Sequence, residues 1–511
     1  MTVDIGSPTL CIGIVGTGAM GRGIAQIAAQ AGILVKLHDA LPGAAANARD
    51  NVIATLTKLS EKGKLTADAL AAASAKLEVV TDISALASCQ VVIEAIVENL
   101  EIKKQLFRQL EDIVGTACIL ATNTSSLSVT SIAAGCSRPE RVGGFHFFNP
   151  VPLMKIVEVI DGLLTEPWVS EALLALGRRM GHTAVRAKDT PGFIVNHAGR
   201  GFNTEALRIL GEGVAEIHDI DRIMREAAGF RMGPFELMDL TGLDVSQPVM
   251  ESIYRQFYDE PRFRPSPLAA QRLAGGVLGR KTQRGFYVYA DGTARAVPEP
   301  ATPAGLPASV WISQAQPAWR TALEAITTSA GVAVEAGPVP SADALCIVTP
   351  LGSDATSLCL NQGLDARRTV AVDCLFGLTG DKHRRTLMTT PLTTPAMRDA
   401  AHALLARDGT PVSVIRDSAG LVAQRIVACI VNIGCDIAQQ RIAAPADIDR
   451  AVQLGLGYPK GPLALGDAVG PAQILAILEA MQSFYGDPRY RPSPWLKRRA
   501  LLGASLLTDE A

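Results

Sequence analysis

The chain has 511 residues, 48% of them hydrophobic, and its 48 Lys and Arg against 50 Asp and Glu give a formal net charge of −2. So long a chain needs more than one core and predicts three or four domains, while its apolar content excludes a disordered one. Near-neutral charge offers no basic face to nucleic acid, no apolar run is long enough for a membrane span, and the opening MTVDIGSPTL lacks the form of a signal peptide.

Residues 10–15, LCIGIV, read as a short buried strand. Gly16-Thr17-Gly18-Ala19-Met20-Gly21 follows at once, then an Ala-rich helical stretch to Ala31 and a second strand over 33–37 that runs into Asp39. Strand, glycine turn, helix, strand and acid in this order make a dinucleotide site. Gly16 permits the tight turn, Gly18 lets the backbone approach a pyrophosphate, and Gly21 lets the helix lie close to the strand. Met20 belongs to the same turn. The Asp39 carboxylate suits the ribose hydroxyls and repels a 2'-phosphate, which predicts NAD rather than NADP.

A helical region with Lys58, Lys62 and Lys64 comes next, then buried-strand candidates at 91–95 and 118–122. Residues 141–148 and 154–159 alternate less cleanly, as where a parallel sheet turns antiparallel at its edge. Beyond Pro191 the chain reads as helical to about residue 285. A proline-rich stretch, VPEPATPAGLP at 297–307, marks an exposed, stiff linker. Short strands at 332–334, 346–348 and 370–372 precede a second helical stretch from 417 onward.

The two helical stretches echo one another. DTPGFIVN from Asp189 returns 228 residues later as DSAGLVAQ from Asp417, Asp221-Arg222 as Asp449-Arg450, Gly233-Pro234 as Gly461-Pro462, and Asp239 as Asp467. A constant offset over so many positions points to an internal repeat. The expected organisation is α/β: a Rossmann-like NAD-binding domain (8–188), an all-α domain (189–290), a linker (291–309), a degenerate, truncated α/β lobe (310–416) and a second helical domain (417–505).

Ser125, His146, Glu158 and Asn196 stand out as candidates for chemistry. A histidine accepts and returns a proton near neutrality, and a carboxylate on its other ring nitrogen would fix the tautomer. His146 and Glu158 are twelve residues apart, with a Pro150/Pro152 turn between them that could bring them together. His38, His182, His197, His218, His383 and His402 read as structural. The nine cysteines are scattered without a C-x-x-C pair, which fits a reduced, cytoplasmic compartment, and no cluster has metal-ligand spacing.

Several segments resemble the 3-hydroxyacyl-CoA dehydrogenase family: GIVGTGAMGRGIAQIAAQAG, VVIEAIVENLEIKKQLF, ATNTSSLSVTSIA, RVGGFHFFNPVPLMKIVEVI, DTPGFIVNH and GFRMGPFELMDLTGLD. KTQRGFYVY looks like its closing segment, with Gln283 where a glycine is usual. The resemblance implies NAD-dependent oxidation of (S)-3-hydroxyacyl-CoA, with His146 as acid/base and Glu158 as its orienting partner. It also implies that Ser125 and Asn196 meet the substrate oxygens, with Asn149 supporting the site. Glu98, Lys103 and Asn123 would lie on the cofactor side, and Lys58, Lys62 or Lys64 would meet the CoA phosphates. The length resembles the long bacterial members that act on 3-hydroxybutyryl-CoA or 3-hydroxyadipyl-CoA in phenylacetate degradation. A CoA-free hydroxyacid dehydrogenase and a non-catalytic nucleotide-binding partner subunit are the alternatives.

Carried across the 228-residue offset, His146 falls on Cys374, Asn149 on Gly377, Glu158 on Thr386, Asn196 on Gln424 and Ser125 on Ser353, while Cys118 falls on Cys346. The second lobe is therefore expected not to catalyse, and residues 307–346 look too short for the missing half of a dinucleotide fold. Single-module relatives look like dimers joined through the helical domain. Two modules in tandem predict an internal pseudo-dimer, and leave room for a homodimer of whole chains.

Overall fold

The computed structural model of the protein describes residues 3–378 and 384–510. The chain forms two compact units: residues 1–197 with 440–456, and residues 198–439 with 457–511.

The first unit is built on an eight-stranded sheet: β1 (Cys11–Val15), β2 (Leu34–His38), β3 (Leu77–Val79), β4 (Val91–Glu94), β5 (Ile119–Thr122), β6 (Val142–Phe147), β7 (Ile156–Asp161) and β8 (Thr183–Lys188). The strand order is β3-β2-β1-β4-β5-β6-β7-β8. The first six strands are parallel, β7 turns antiparallel to β6, and β8 runs parallel to β7. β1, β4 and β5 are buried throughout, as strands covered on both faces must be. Ile12, Ile14, Ile93 and Ala121 pack on one face with the helices Ala19–Gln30 and Pro167–Arg179. Val15, Val92 and Leu120 pack on the other with Phe107 and Leu110 of the helix Leu100–Ile113. β3 and β8 had no sequence signal strong enough to announce them.

One helix of this unit comes from the far end of the chain. Pro445–Leu456 packs against β7 and β8, and the Lys188 N–H at the end of β8 donates to the Ile442 carbonyl at 2.9 Å. The helix was expected to stay with a second helical domain.

In the second unit the helix Arg200–Gly211 lies along Ala423–Gln439. A Cβ on Gly201 would sit 3.0 Å from the Ile430 backbone, so the two helices meet backbone to backbone. Beside that contact is a buried charge cluster. Arg425, 0% exposed, bonds Glu205 and Glu212, while Arg489 and Tyr490 also reach Glu205, at 3.1 and 2.7 Å. Asp239 gathers the closing segment by accepting from the Phe286 and Tyr287 N–H groups and the Tyr289 hydroxyl. Gln283, in the position usually held by glycine, is in the left-handed region at φ 58°.

A short ribbon, β9 (Tyr289–Ala290) with β10 (Thr293–Ala294), precedes the irregular stretch 295–307. That stretch is exposed but not loose, because Glu299 within it pairs with Arg222 and Arg384. A six-stranded sheet follows: β11 (Ser309–Ile312), β12 (Ala333–Glu335), β13 (Leu345–Val348), β14 (Thr369–Val372), β15 (Arg385–Thr389) and β16 (Val412–Ile415), in the order β12-β11-β13-β14-β15-β16. Its last four strands run parallel, antiparallel, parallel in the same sense as β5 to β8. Residues 307–346 do hold a strand–helix–strand unit, which the sequence reading had judged too short for half of a dinucleotide fold. The turn after β11, however, is Ser313-Gln314-Ala315-Gln316, without a glycine. The Arg416 N–H after β16 donates to the Val214 carbonyl at 2.9 Å, and Ser413 bonds Asp219 at 2.9 Å.

Removing Arg425 would leave Glu205 buried with fewer partners. Arg425→Ala should cost about 3 kcal/mol or more of stability, the usual loss when one partner of a buried pair is deleted. Denaturant unfolding followed by fluorescence measures it, and a change within about 0.5 kcal/mol, the range of an ordinary surface substitution, would show the cluster to be incidental.

Candidate active site

His146 on β6 and Glu158 on β7 are direct partners in the antiparallel register, so their side chains leave the same face of the sheet. Nδ1 of His146 lies 2.7 Å from Oε2 of Glu158, and the two residues are 4% and 0% exposed. The alternation that turns His146 to this face turns Phe145 and Phe147 into the core on the other. The second Glu158 oxygen accepts the N–H groups of Ile194 and Val195, both at 2.9 Å, where the chain enters the helix Val195–Ala198. Gly192 and Phe193, both at positive φ, make the turn that presents those two N–H groups. The rings of Phe148 and Phe193 flank the imidazole at 4.4 and 5.6 Å. With Nδ1 committed to the carboxylate, Nε2 is the nitrogen left for chemistry.

Asn196 approaches the same place, its Nδ2 reaching the Ser125 carbonyl at 3.5 Å. Ser125 is held by Glu98, whose Oε1 accepts from the backbone N–H groups of Ser125 and Ser126 at 2.9 and 3.0 Å and from the Thr124 hydroxyl at 2.7 Å. Burial raises the Glu98 carboxyl, but Lys103 and these donors outweigh it and hold the group below its usual range. Lys103 departs from expectation. It is 1% exposed and bonds Glu94 at 2.5 Å and Glu98 at 3.3 Å, so it serves the loop from beneath instead of facing a ligand.

Asn123 likewise spends its Oδ1 on the Phe147 N–H, at 2.9 Å, tying β5 to β6. Asn149 is exposed, before a cis bond to Pro150. Lys58, Lys62 and Lys64 are exposed at the end of the helix Ala44–Glu61 and in the turn after it. His182 is structural, donating to the Val151 carbonyl at 3.0 Å, while His383 lies outside the described residues.

Two acids were missed. Glu94, fully buried, receives the Ile96 N–H and the Thr122 hydroxyl, both at 2.7 Å, besides Lys103. Asp189 receives the Ser128 hydroxyl at 2.7 Å and the N–H groups of Val129 and Thr130 at 3.1 and 2.7 Å, fixing the helix that follows the Ser125 loop. Both lie within the quoted motifs, but half or more of what they bind is backbone or lies in another segment, which local spacing does not reveal.

The nucleotide turn fits NAD. Gly16 has φ +92°, and a Cβ there would lie 2.6 Å from the Ala95 carbonyl oxygen; at Gly21 it would lie 1.9 Å from that of Gly16. At Gly18 the Cβ direction is open, with nothing within 4 Å, leaving room for a phosphate against the backbone. Met20 is half-buried against the core. Asp39 is set by the Thr17 N–H and hydroxyl on Oδ2, at 2.7 and 2.8 Å, and by the Leu41 N–H on Oδ1 at 3.0 Å. Although burial raises it, those bonds keep its carboxyl below the usual range and thus ionised.

The second sheet carries a different set at the matching register. Phe145 pairs with Val159 as Val372 pairs with Leu387, so the residue in the place of His146 is Asp373, not Cys374. Its N–H donates to Thr386, which stands where Glu158 does. Leu120 pairs with Val142 as Cys346 pairs with Thr369, which makes Leu120, not Cys118, the counterpart of Cys346 and moves that of Ser125 from Ser353 to Leu351. Gln424 bonds Asp373 Oδ1 at 3.0 Å, the Pro350 carbonyl at 3.1 Å and the Gly352 N–H at 2.8 Å. Asp373 Oδ2 and the Thr386 hydroxyl have no partner among the described residues. Burial pushes the Asp373 carboxyl up to about 6 and lifts the Cys374 thiol well above its usual range.

Comparison with known proteins agrees with this geometry. Residues 11–190 match "3-hydroxyacyl-CoA dehydrogenase, NAD binding domain", and residues 192–289 and 420–505 match "3-hydroxyacyl-CoA dehydrogenase, C-terminal domain". The chain belongs to the 3-hydroxyacyl-CoA dehydrogenase family. It is accordingly an NAD-dependent oxidoreductase acting on 3-hydroxyacyl-CoA. It is 39% identical over 494 residues to the 3-hydroxyadipyl-CoA dehydrogenase of Escherichia coli (strain K12), covering 96% of this chain and 97% of that one. A probable 3-hydroxybutyryl-CoA dehydrogenase of Deinococcus radiodurans is 42% identical over 277 residues, 54% of this chain and 99% of its own. The crystal structure of 3-hydroxybutyryl-CoA dehydrogenase from Escherichia coli K12 superposes with a TM-score of 0.84 at 37% identity, covering 97% and 98% of the two chains. No single helix among the described residues is long and apolar enough to cross a membrane.

Asp373 gives a pH signature. Its folded-state pKa, about 6, lies above the ordinary carboxyl value, so it favours the folded state below roughly pH 4 and loses that contribution as pH rises through 6. Asp373→Asn should remove this slope and raise stability at pH 8 by about 2–3 kcal/mol relative to wild type. Unfolding midpoints from pH 4.5 to 8 check it, and parallel curves for the two proteins would refute it.

Proposed function

We propose that His146 is the acid/base of the reaction and Glu158 its orienting partner. The observation that carries this reading is the 2.7 Å contact between them, with the far carboxylate oxygen fixed by two backbone N–H groups. Bound NAD supplies the hydride acceptor for C3. His146 Nε2 takes the hydroxyl proton as the C3–O bond becomes a carbonyl, and returns it in the reverse direction. Glu158 keeps Nδ1 protonated and stabilises the imidazolium that forms. Ser125 and Asn196 hold the 3-oxygen and the thioester carbonyl, with Asn149 at the mouth of the site. Gly16, Gly18, Met20, Gly21 and Asp39 hold the dinucleotide. Glu98 and Asn123 shape the loop on its nicotinamide side, with Lys103 beneath, and Lys58 or Lys62 meets the CoA phosphates.

The relatives that match over nearly the whole chain carry the names 3-hydroxyadipyl-CoA and 3-hydroxybutyryl-CoA dehydrogenase, and a cytoplasmic enzyme using one of these two substrates is the matching reading. Comparing kcat/KM for the two acyl-CoAs separates them. His146→Gln should lower kcat by about 10³-fold while NADH still binds, since the imidazole acts only when the proton moves. Glu158→Gln should fall between, and Cys374→Ala should leave turnover unchanged. Wild-type turnover in His146→Gln, followed by NADH absorbance with a 3-oxoacyl-CoA, would refute the assignment.

The same reading covers the architecture: domains at 8–188, 189–290, 310–416 and 417–505, the second pair a degenerate repeat of the first, with the helical modules forming an internal pseudo-dimer. The reciprocal bonds Lys188 to Ile442 and Arg416 to Val214 support it, each joining the end of one sheet to the other half's helical segment. Truncation after residue 296 removes the partner face of the helix Arg200–Gly211. The fragment should aggregate or dimerise, and analytical ultracentrifugation showing a stable, active monomer would refute the idea.

A further inference from the structure

The helix Pro445–Leu456, more than two hundred residues from the site in sequence, touches the backbone that aims Glu158. Gly455 lies on its last turn against Val195, itself 1% exposed, and a Cβ at that position would come 2.8 and 2.9 Å from the two Val195 methyl carbons. That approach is closer than real Cβ contacts allow, so a side chain at position 455 would have to displace the buried Val195. The Val195 N–H is one of the two that bind Glu158 Oε1. The same segment also braces the opposite side of the site. The Ile442 carbonyl holds the Lys188 N–H, one residue before Asp189, and Asp189 fixes the start of the helix after the Ser125 loop.

We propose that Gly455 is a positioning residue for the proton relay: its missing side chain lets the helix Pro445–Leu456 seat Val195 so that the Ile194 and Val195 N–H groups aim Glu158 at His146. This rests on the acid/base reading of His146. A glycine here is not required by the helix, where it costs up to about 1 kcal/mol relative to alanine. Close approach to Val195 gives the position its reason. The second half of the chain thereby acts on the reaction without holding a catalytic group.

Among the described residues Glu158 is the charged group bonded to His146, with the Phe148 and Phe193 rings on its other sides. Displacing Glu158 would remove a carboxylate partner that supports the protonated ring, so the alkaline limb of kcat for 3-oxoacyl-CoA reduction should move to lower pH. The test measures Gly455→Ala, Val195→Ala, the double variant and His146→Gln in the full-length enzyme. Gly455→Ala should lose about tenfold in kcat, with the pH shift and with KM and NADH affinity within about twofold, in keeping with a sub-ångström misplacement. The double variant, in which the added methyl meets a shortened side chain, should recover the kcat and pH profile of Val195→Ala alone. Should Gly455→Ala fail to fold, the double variant carries the same comparison. Wild-type kcat and pH profile in Gly455→Ala, or a loss that Val195→Ala does not relieve, would overturn the inference while an inactive His146→Gln keeps the relay intact. Full activity in His146→Gln would instead overturn the relay itself.

Discussion

Glu158 has two oxygens with three donors upon them, and most of the first unit is arranged to bring those donors together. His146 comes from the neighbouring strand, fixed by antiparallel register; the Ile194 and Val195 N–H groups come from a turn after β8. A fully buried carboxylate is costly unless its lone pairs are met, so the cluster holds only if β6, β7 and the chain after β8 keep their places together. This explains why a mainly parallel sheet reverses at β7. The reversal puts residues twelve apart in sequence directly opposite each other, on a face that a parallel continuation would not have given them.

The same use of acids to tie down loops recurs throughout the chain. Glu94 and Glu98 organise the Ser125 loop, Asp189 the helix behind it, Asp39 the nucleotide turn, and Asp239 the closing segment; each satisfies backbone N–H groups that a loop would otherwise leave bare. In the second unit Glu205 does the equivalent with side chains, gathering Arg425, Arg489 and Tyr490 between helices. Such acids hold irregular chain rigid without adding apolar bulk near a polar site.

Local pattern carried the nucleotide turn, the strand–helix alternation and the change to antiparallel pairing, because period and glycine placement dictate them residue by residue, whereas the His146–Glu158 pairing came from the family resemblance, spacing only allowing it. Asp189 and Glu94 stayed hidden because part of what they bind is backbone, which carries no sequence, and their side-chain partners lie at spacings that follow no motif. The destination of the helix Pro445–Leu456 stayed hidden because no local feature says which sheet it will cover. A constant offset failed for a specific reason. The separation between matching strand residues is 226 at Leu120 and Cys346, 227 at Val142 and Thr369, and 228 at Val159 and Leu387, since the loops between the strands differ in length. The one-residue difference between 227 and 228 at β6 and β14 was enough to name Cys374 where Asp373 stands.

Asp373 and its neighbours, at the matching register of the second sheet, are bonded differently from His146 and its neighbours. Gln424, one carbon longer than the Asn196 it parallels, reaches three groups at once and draws the ends of β13 and β14 together. Asn196 instead approaches the Ser125 carbonyl at 3.5 Å. A site that takes in an oxygen must leave donors waiting for it, and a closed one satisfies them from within. The closure at Gln424 is imperfect, since Asp373 Oδ2 has no partner among the described residues and burial drives its carboxyl up to about 6. In the first sheet the buried carboxylate beside His146, Glu158, has both oxygens met, one by His146 and the other by the Ile194 and Val195 N–H groups.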